Sequence, residues 1–181
     1  MSQTFNVADY LRMHATERPD SPALRFPASI YTTADPSWDT WTFAELDRAS
    51  DNYARGFAEQ GVVRGDRTLM LMKPSLDFYA VIFGLFKVGA IPVLLDPGMG
   101  MSKLLECIER TRPRVVVAMS LVHAVRIFMR RPFASAEILI TAGSRWFWGG
   151  ATLDQCRVEG DSPFDIAQMA PDDDAAILFT S

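Results

Sequence analysis

TLMLMKPSLDFYAVIFGLFKVGAIPVLL, the run from Thr68 to Leu95, decides the reading of the fold. Its second part, Leu76 to Leu95, is mostly apolar and has the roughly 20 residues a bilayer-spanning helix needs. Asp77, Lys87, Gly89 and Pro92 argue against that use, because Gly89 and Pro92 divide the run into a helix, Leu76 to Val88, and a strand, Ile91 to Leu95. Upstream, Thr68 to Met72 is a short apolar strand ended by Lys73-Pro74, and Ser75 stands where a helix cap is wanted. Phe78, Val81, Ile82, Leu85 and Phe86 make the helix apolar nearly all round, so it must be covered on most sides. Strand, helix and strand at this spacing form a βαβ unit, and two soluble, buried elements replace the apparent membrane span.

The same alternation continues on both sides. Phe5 to Thr16 is an amphipathic helix, Ala23 to Phe26 a short strand, and Pro27 to Asp39 an irregular loop. Thr42-Phe43-Ala44-Glu45 is a capping box, and Phe43, Leu46, Ser50, Tyr53 and Phe57 mark one face of a helix that Gly61 stops. After Leu95, Asp96-Pro97-Gly98-Met99-Gly100 turns the chain and Ser102 is expected to cap a helix to about Arg110. Arg114 to Ala118 is a strand, Leu121 to Met129 a helix, Glu137 to Thr141 a strand, and Ala175 to Thr180 a final buried strand. Gly143 to Pro171 has no regular pattern. The fold class is therefore α/β, a largely parallel sheet with helices on both faces, entered through a helix–loop segment over residues 1–40 and built of βαβ units over 41–181.

Composition narrows the function. The 181 residues are 49 % apolar and 22 % charged, with a net charge of −4. These are globular proportions, and they give no sign of the basic surplus of a nucleic-acid binder. Cys107 and Cys156 form no Cys-x-x-Cys pair, and no secretory leader opens the chain, so a cytoplasmic location is expected and no metal site is assigned. His14, His123 and the group Arg126, Arg130, Arg131 have no partners at catalytic spacing and are read as structural or solvated. Trp146-Phe147-Trp148 packs as a loop into the core or touches lipid or a partner, and Asp172 to Asp174 reads as a solvated turn. Gly98-Met99-Gly100 is too short for a dinucleotide fingerprint.

Four segments carry a family resemblance. Trp41-Thr42-Phe43-Ala44-Glu45-Leu46, Gly61 to Arg67, Phe83 to Ala90 followed by Leu95-Asp96-Pro97, and Asp172 to Ser181 resemble, in order, motifs of the adenylate-forming (AMP-binding) enzymes. That superfamily holds acyl-CoA synthetases, luciferases and peptide-synthetase adenylation domains. In it the last strand runs into a Thr/Ser/Gly-rich loop, ending in Lys, that binds the phosphates of ATP. Asp96 to Gly100 and Arg145 to Gly150 resemble the branch of β-lactone synthetases in bacterial long-chain olefin biosynthesis, which activate a 2-alkyl-3-hydroxy fatty acid.

The resemblance implies the N-terminal part of the large domain of such an enzyme, reaching only the start of the phosphate loop. Thr180 and Ser181 are its expected phosphate-binding residues, and no catalytic residue is expected within the chain. ATP and Mg²⁺ are the implied cofactors, with CoA, an intramolecular hydroxyl or a carrier thiol as final acceptor and a long-chain acyl group as substrate. The 181 residues alone are expected to be inactive and to self-associate through an uncovered sheet face. The residues taken without the resemblance leave a second reading open, a Rossmann-like module that holds a nucleotide or partner without catalysis.

Overall fold

The computed structural model describes residues 6–27 and 37–180. Helix α1 (Val7–Glu17) starts at Asn6, whose side chain accepts from the Ala8 N–H; the expected start at Phe5 lies outside the described residues. Strands β1 (Pro22–Pro27) and β2 (Trp38–Thr42) pair antiparallel as a two-stranded sheet. Here the loop expected over Pro27 to Asp39 needs correction: Trp38 and Asp39 belong to β2, and residues 28–36 lie outside the described residues. The Thr42–Glu45 capping box is formed as read and opens α2 (Phe43–Glu59).

The main sheet has six strands, all pairing parallel: β3 (Arg67–Leu71), β4 (Ile91–Leu95), β5 (Val115–Met119), β6 (Ile138–Ala142), β7 (Ala151–Thr152) and β8 (Ile177–Phe179). Their order is β7-β6-β5-β3-β4-β8. Helix α3 spans Leu76–Val88, capped by Ser75 accepting from the Phe78 N–H and closed by Gly89 in the left-handed region at φ 74°. A side chain there would be strained, which fixes the helix end locally. Helices α4 (Met101–Thr111) and α5 (Ser120–Phe128) follow β4 and β5.

Three local expectations differ from the structure. Ser102 does not cap α4: the cap position is Gly100, at φ 83° and ψ 153°, with no side-chain cap hydrogen bond. The final strand is shorter than Ala175 to Thr180 and lies at the sheet edge, with Leu178 66 % exposed, so it is not buried. The irregular stretch from Gly143 contains β7, a two-residue strand set against β6.

Alternation along the strands builds two cores. Met70, Val115, Val117 and Ile140 face α2 and α3, whereas Leu69, Leu71, Val116 and Ala118 face Leu104, Leu105 and Ile108 of α4 and Val122 of α5. Helices thus cover both faces, as the sequence predicts.

Beneath α3 lies a charge cluster that the periodicity does not reveal. The Lys87 ammonium, fully buried, donates to Asp47 Oδ1 and Asp51 Oδ1 at 2.6 Å each and to the Asp47 carbonyl at 2.8 Å. Arg12 of α1 closes the group, donating to Asp47 Oδ2 and Asp51 Oδ1 at 2.7 Å. Two cations and two carboxylates therefore tie α1, α2 and α3 together. Burial pulls Lys87 below its ordinary pKa, and the two carboxylates oppose that pull.

A close backbone approach joins α2 to the segment after β7. A Cβ built on Gly56 would stand 2.0 Å from the Cys156 carbonyl oxygen. The obstructing atom is main chain, so relief requires moving one element. Gly56→Ala should lower the unfolding free energy by about 1–3 kcal/mol, read from urea titration. A shift below about 0.5 kcal/mol would mean that this contact is not made.

Candidate functional site

Ligands of open α/β sheets bind outside the carboxyl ends of the strands, where neighbouring connections leave toward opposite faces. In this chain β3 supplies that point. It leads into α3 on one face, while its neighbours β4 and β5 lead into α4 and α5 on the other. The carboxyl ends of β3, β4 and β5 therefore frame the candidate site, and β8, paired beside β4, ends next to it.

The register places Thr180 there. Leu94 pairs with Leu178 and Leu95 with Phe179, so Asp96 and Thr180 leave adjacent parallel strands side by side. Thr180 is exposed, directly beyond β8, and its hydroxyl makes no hydrogen bond among the described residues. Ser181, its expected companion, lies outside the described residues. Asp96 is committed to its own turn: Oδ1 accepts from the Gly98 N–H at 2.8 Å and starts the short 3₁₀ turn Pro97–Met99. The structural reading of the Asp96–Gly100 turn therefore holds.

Next to this edge, on the face of α4 and α5, is an apolar cavity of about 430 Å³. Leu71, Leu95, Met101, Leu105, Met119 and Phe133 are among its walls. Its size falls within the roughly 300–1,000 Å³ of small-molecule sites. With walls of this kind it suits a hydrocarbon group better than a polar one. On the other face, Asp77 near the start of α3 accepts from Tyr53 Oη at 3.0 Å and from Arg157 at 2.8 Å, which fastens the segment after β7 onto α2 and α3. Burial, with the Asp77 carboxylate, raises the Tyr53 pKa, so the phenol stays protonated and serves as a donor.

Two further sequence candidates, His123 and the Asp172 to Asp174 turn, are structural. His123 is fully buried, hydrogen-bonded through Nε2 to the Ile140 carbonyl at 3.1 Å, and burial lowers its pKa. Asp173 accepts from the Ala170 N–H at 2.7 Å and from Arg64 at 2.6 Å, both of which lower its pKa, so the acidic turn is an anchored loop. Among the described residues no group of three or more His, Cys, Asp or Glu could hold a metal ion, and no helix is long and apolar enough to cross a membrane.

The family model for the AMP-binding enzymes matches residues 11–181. The chain belongs to that family. It is 40 % identical, over its whole length, to an olefin beta-lactone synthetase of Xanthomonas campestris pv. campestris, and 38 % identical to one of Stenotrophomonas maltophilia. It spans 33 % of the length of each relative. Among solved structures, a long-chain-fatty-acid-CoA ligase of Archaeoglobus fulgidus superposes on 98 % of the chain with a TM-score of 0.79 at 19 % identity, the chain covering 35 % of that protein. An anthranilate CoA ligase in complex with anthranoyl-AMP superposes on 96 % of it, with a TM-score of 0.75 at 20 % identity, over 32 % of that chain. These likenesses establish the fold, that of the N-terminal part of an AMP-binding enzyme.

Sequence reasoning did not foresee the Lys87 cluster or the cavity. The signal for the first was present: Asp47 and Asp51, four residues apart, sit beside the apolar face of α2, and Lys87 sits on a helix apolar all round. The cavity had none, because its walls come from six elements brought together only by the sheet order.

Proposed function

We propose that the protein carrying this chain activates a 2-alkyl-3-hydroxy fatty acid with ATP and closes it to a β-lactone. The observation that carries the reading is the identity of 40 % with an olefin beta-lactone synthetase across the whole chain. An apolar cavity beside the strand end bearing Thr180 is in keeping with it. In the first step a carboxylate oxygen attacks the α-phosphorus of Mg²⁺·ATP, the bond to the β-phosphate oxygen breaks, and pyrophosphate leaves. In the second the 3-hydroxyl oxygen attacks the acyl carbon of the adenylate, AMP departs, and the hydroxyl proton passes to AMP or solvent. Thr180, and Ser181 beside it, belong to the cradle that holds the leaving phosphates, through hydroxyl and backbone N–H groups. Magnesium arrives with the nucleotide.

The test is product analysis with the complete gene product, ATP, Mg²⁺ and a 2-alkyl-3-hydroxy acid, with and without CoA. A product lighter than the acid by one water, formed equally without CoA, supports the reading. An acyl thioester formed only with CoA assigns the protein to the acyl-CoA ligases instead, and the absence of AMP in either arm overturns acid activation altogether. Thr180→Ala in the same protein should slow pyrophosphate exchange by about tenfold or more at unchanged thermal stability, since the residue is exposed and its hydroxyl has no hydrogen-bond partner among the described residues. An unchanged exchange rate would remove Thr180 from the site.

A further inference from the structure

His123 sits in the contact between α5 and β6 as a neutral ring. It is fully buried, and its Nε2 lies 3.1 Å from the Ile140 carbonyl oxygen. A carbonyl oxygen only accepts, so the ring's single proton is on Nε2 and Nδ1 is the bare acceptor nitrogen. Nδ1 is buried too and has no hydrogen-bond partner among the described residues. The ring stacks on Trp148, with centroids 5.6 Å and planes 29° apart. Trp148 in turn fastens the 143–150 loop. It is buried, donates from Nε1 to Thr141 Oγ1 at 2.9 Å, and has the Trp146 and Phe147 rings each 5.4 Å away. Ser120 Oγ donates to the Ser144 carbonyl and so ties the same loop to the start of α5.

A second proton on this ring would go to Nδ1. There it would create a buried donor without an acceptor and a buried cation. The charges on the elements packed around the ring have the wrong sign to answer it. Besides His123, α5 carries Arg126 as its other titratable residue, one turn along the helix. Strands β5, β6 and β7 carry none. The 143–150 loop carries Arg145, which donates to the Gly150 carbonyl. Burial first, and the Arg126 guanidinium with it, hold the imidazole below its ordinary pKa against the opposing pull of the Ile140 carbonyl.

We propose that His123 is an acid-sensitive latch: neutral, it holds Trp148 and the 143–150 loop closed on α5 and β6, and on taking a second proton it releases them. Opening lets water reach Nδ1, and the freed ring titrates near its ordinary value of about 6.5. The closed loop therefore has its full stability above that pH and loses it as pH falls below it. The loop leaves the carboxyl end of β6, the end of the parallel sheet at which the candidate site opens. Helix α5, on which the loop closes, also gives Val122 and Val125 to the apolar cavity, so the latch holds one wall of that cavity. The proposal stands independently of the lactone reading.

The experiment measures hydrogen–deuterium exchange in the complete gene product, on peptides covering residues 140–152, with the intrinsic pH dependence of exchange divided out. Between about pH 7.5 and about pH 5, protection of these peptides in the wild type should fall by about fivefold or more, while peptides from α2 and α3 keep theirs. His123→Gln retains a side-chain N–H for the Ile140 carbonyl but cannot gain a charge, so it should lose this pH dependence. Arg126→Gln removes the neighbouring cation, so it should keep the transition and move its midpoint to higher pH. That arm decides the matter if His123→Gln does not fold. Unchanged protection in the wild type down to about pH 5, or the same loss in His123→Gln, overturns the proposal. So does an unmoved midpoint in Arg126→Gln, or a loss that α2 and α3 share at the same pH, which is general acid unfolding.

Discussion

Replacing Lys87 by methionine should cost about 3–5 kcal/mol, enough to remove a large part of the stability of a domain this size. Methionine matches the length of the lysine stem, so the α3 packing survives and the loss is electrostatic. Asp47 and Asp51 would then share a buried site with Arg12 as their one remaining cation, and Arg12 itself is only half-buried. The second arm of the test is the triple change Lys87→Met, Asp47→Asn, Asp51→Asn, which removes the uncompensated charge. It should recover a substantial part of the loss, read by urea titration on both variants. If the triple variant is no more stable than Lys87→Met, the cluster is not an electrostatic unit.

Leu85→Ala should cost about 2–5 kcal/mol, because Leu85 is fully buried where α3 meets the sheet and α2. Phe83, two residues earlier on the same helix, is only half-buried, its ring set edge-on to Phe86 at 5.9 Å. Phe83→Ala should therefore fall at or below the low end of that range. A loss under about 0.5 kcal/mol at both positions would mean that α3 faces solvent and that the layer order is wrong.

The parts of the fold legible in the sequence are those fixed by neighbouring residues. The limits of α3 and β4 read correctly because Ser75 and Gly89 act on the backbone beside them, and the α2 start because Thr42 and Glu45 exchange hydrogen bonds three residues apart. What was missed depends on distant partners. Strand β2 has no alternation of its own and exists through pairing with β1, and Ser102 was a plausible cap until the backbone turned at Gly100 instead. Strand β8 looked buried because its residues are apolar, but its place in the sheet order leaves Leu178 exposed. Lys87 argued against a membrane span as a charge in an apolar run, and its partners on α2 lie 36 and 40 residues away. For the candidate site, the motif supplies Thr180 as an expectation, and its position beside Asp96 required the β4–β8 register.

The claim that matters most is that this fold belongs to a protein that activates a carboxylic acid rather than one that merely holds a nucleotide. Acid-dependent exchange of labelled pyrophosphate into ATP tests it most directly, with the complete gene product and the 181-residue chain assayed side by side. The account predicts exchange by the complete protein that requires both Mg²⁺ and the 3-hydroxy acid, and none above background by the 181 residues. Nucleotide binding without acid-dependent exchange in the complete protein would contradict it, and equal exchange by the 181 residues would contradict the assignment of phosphate binding to a cradle that only begins at Thr180.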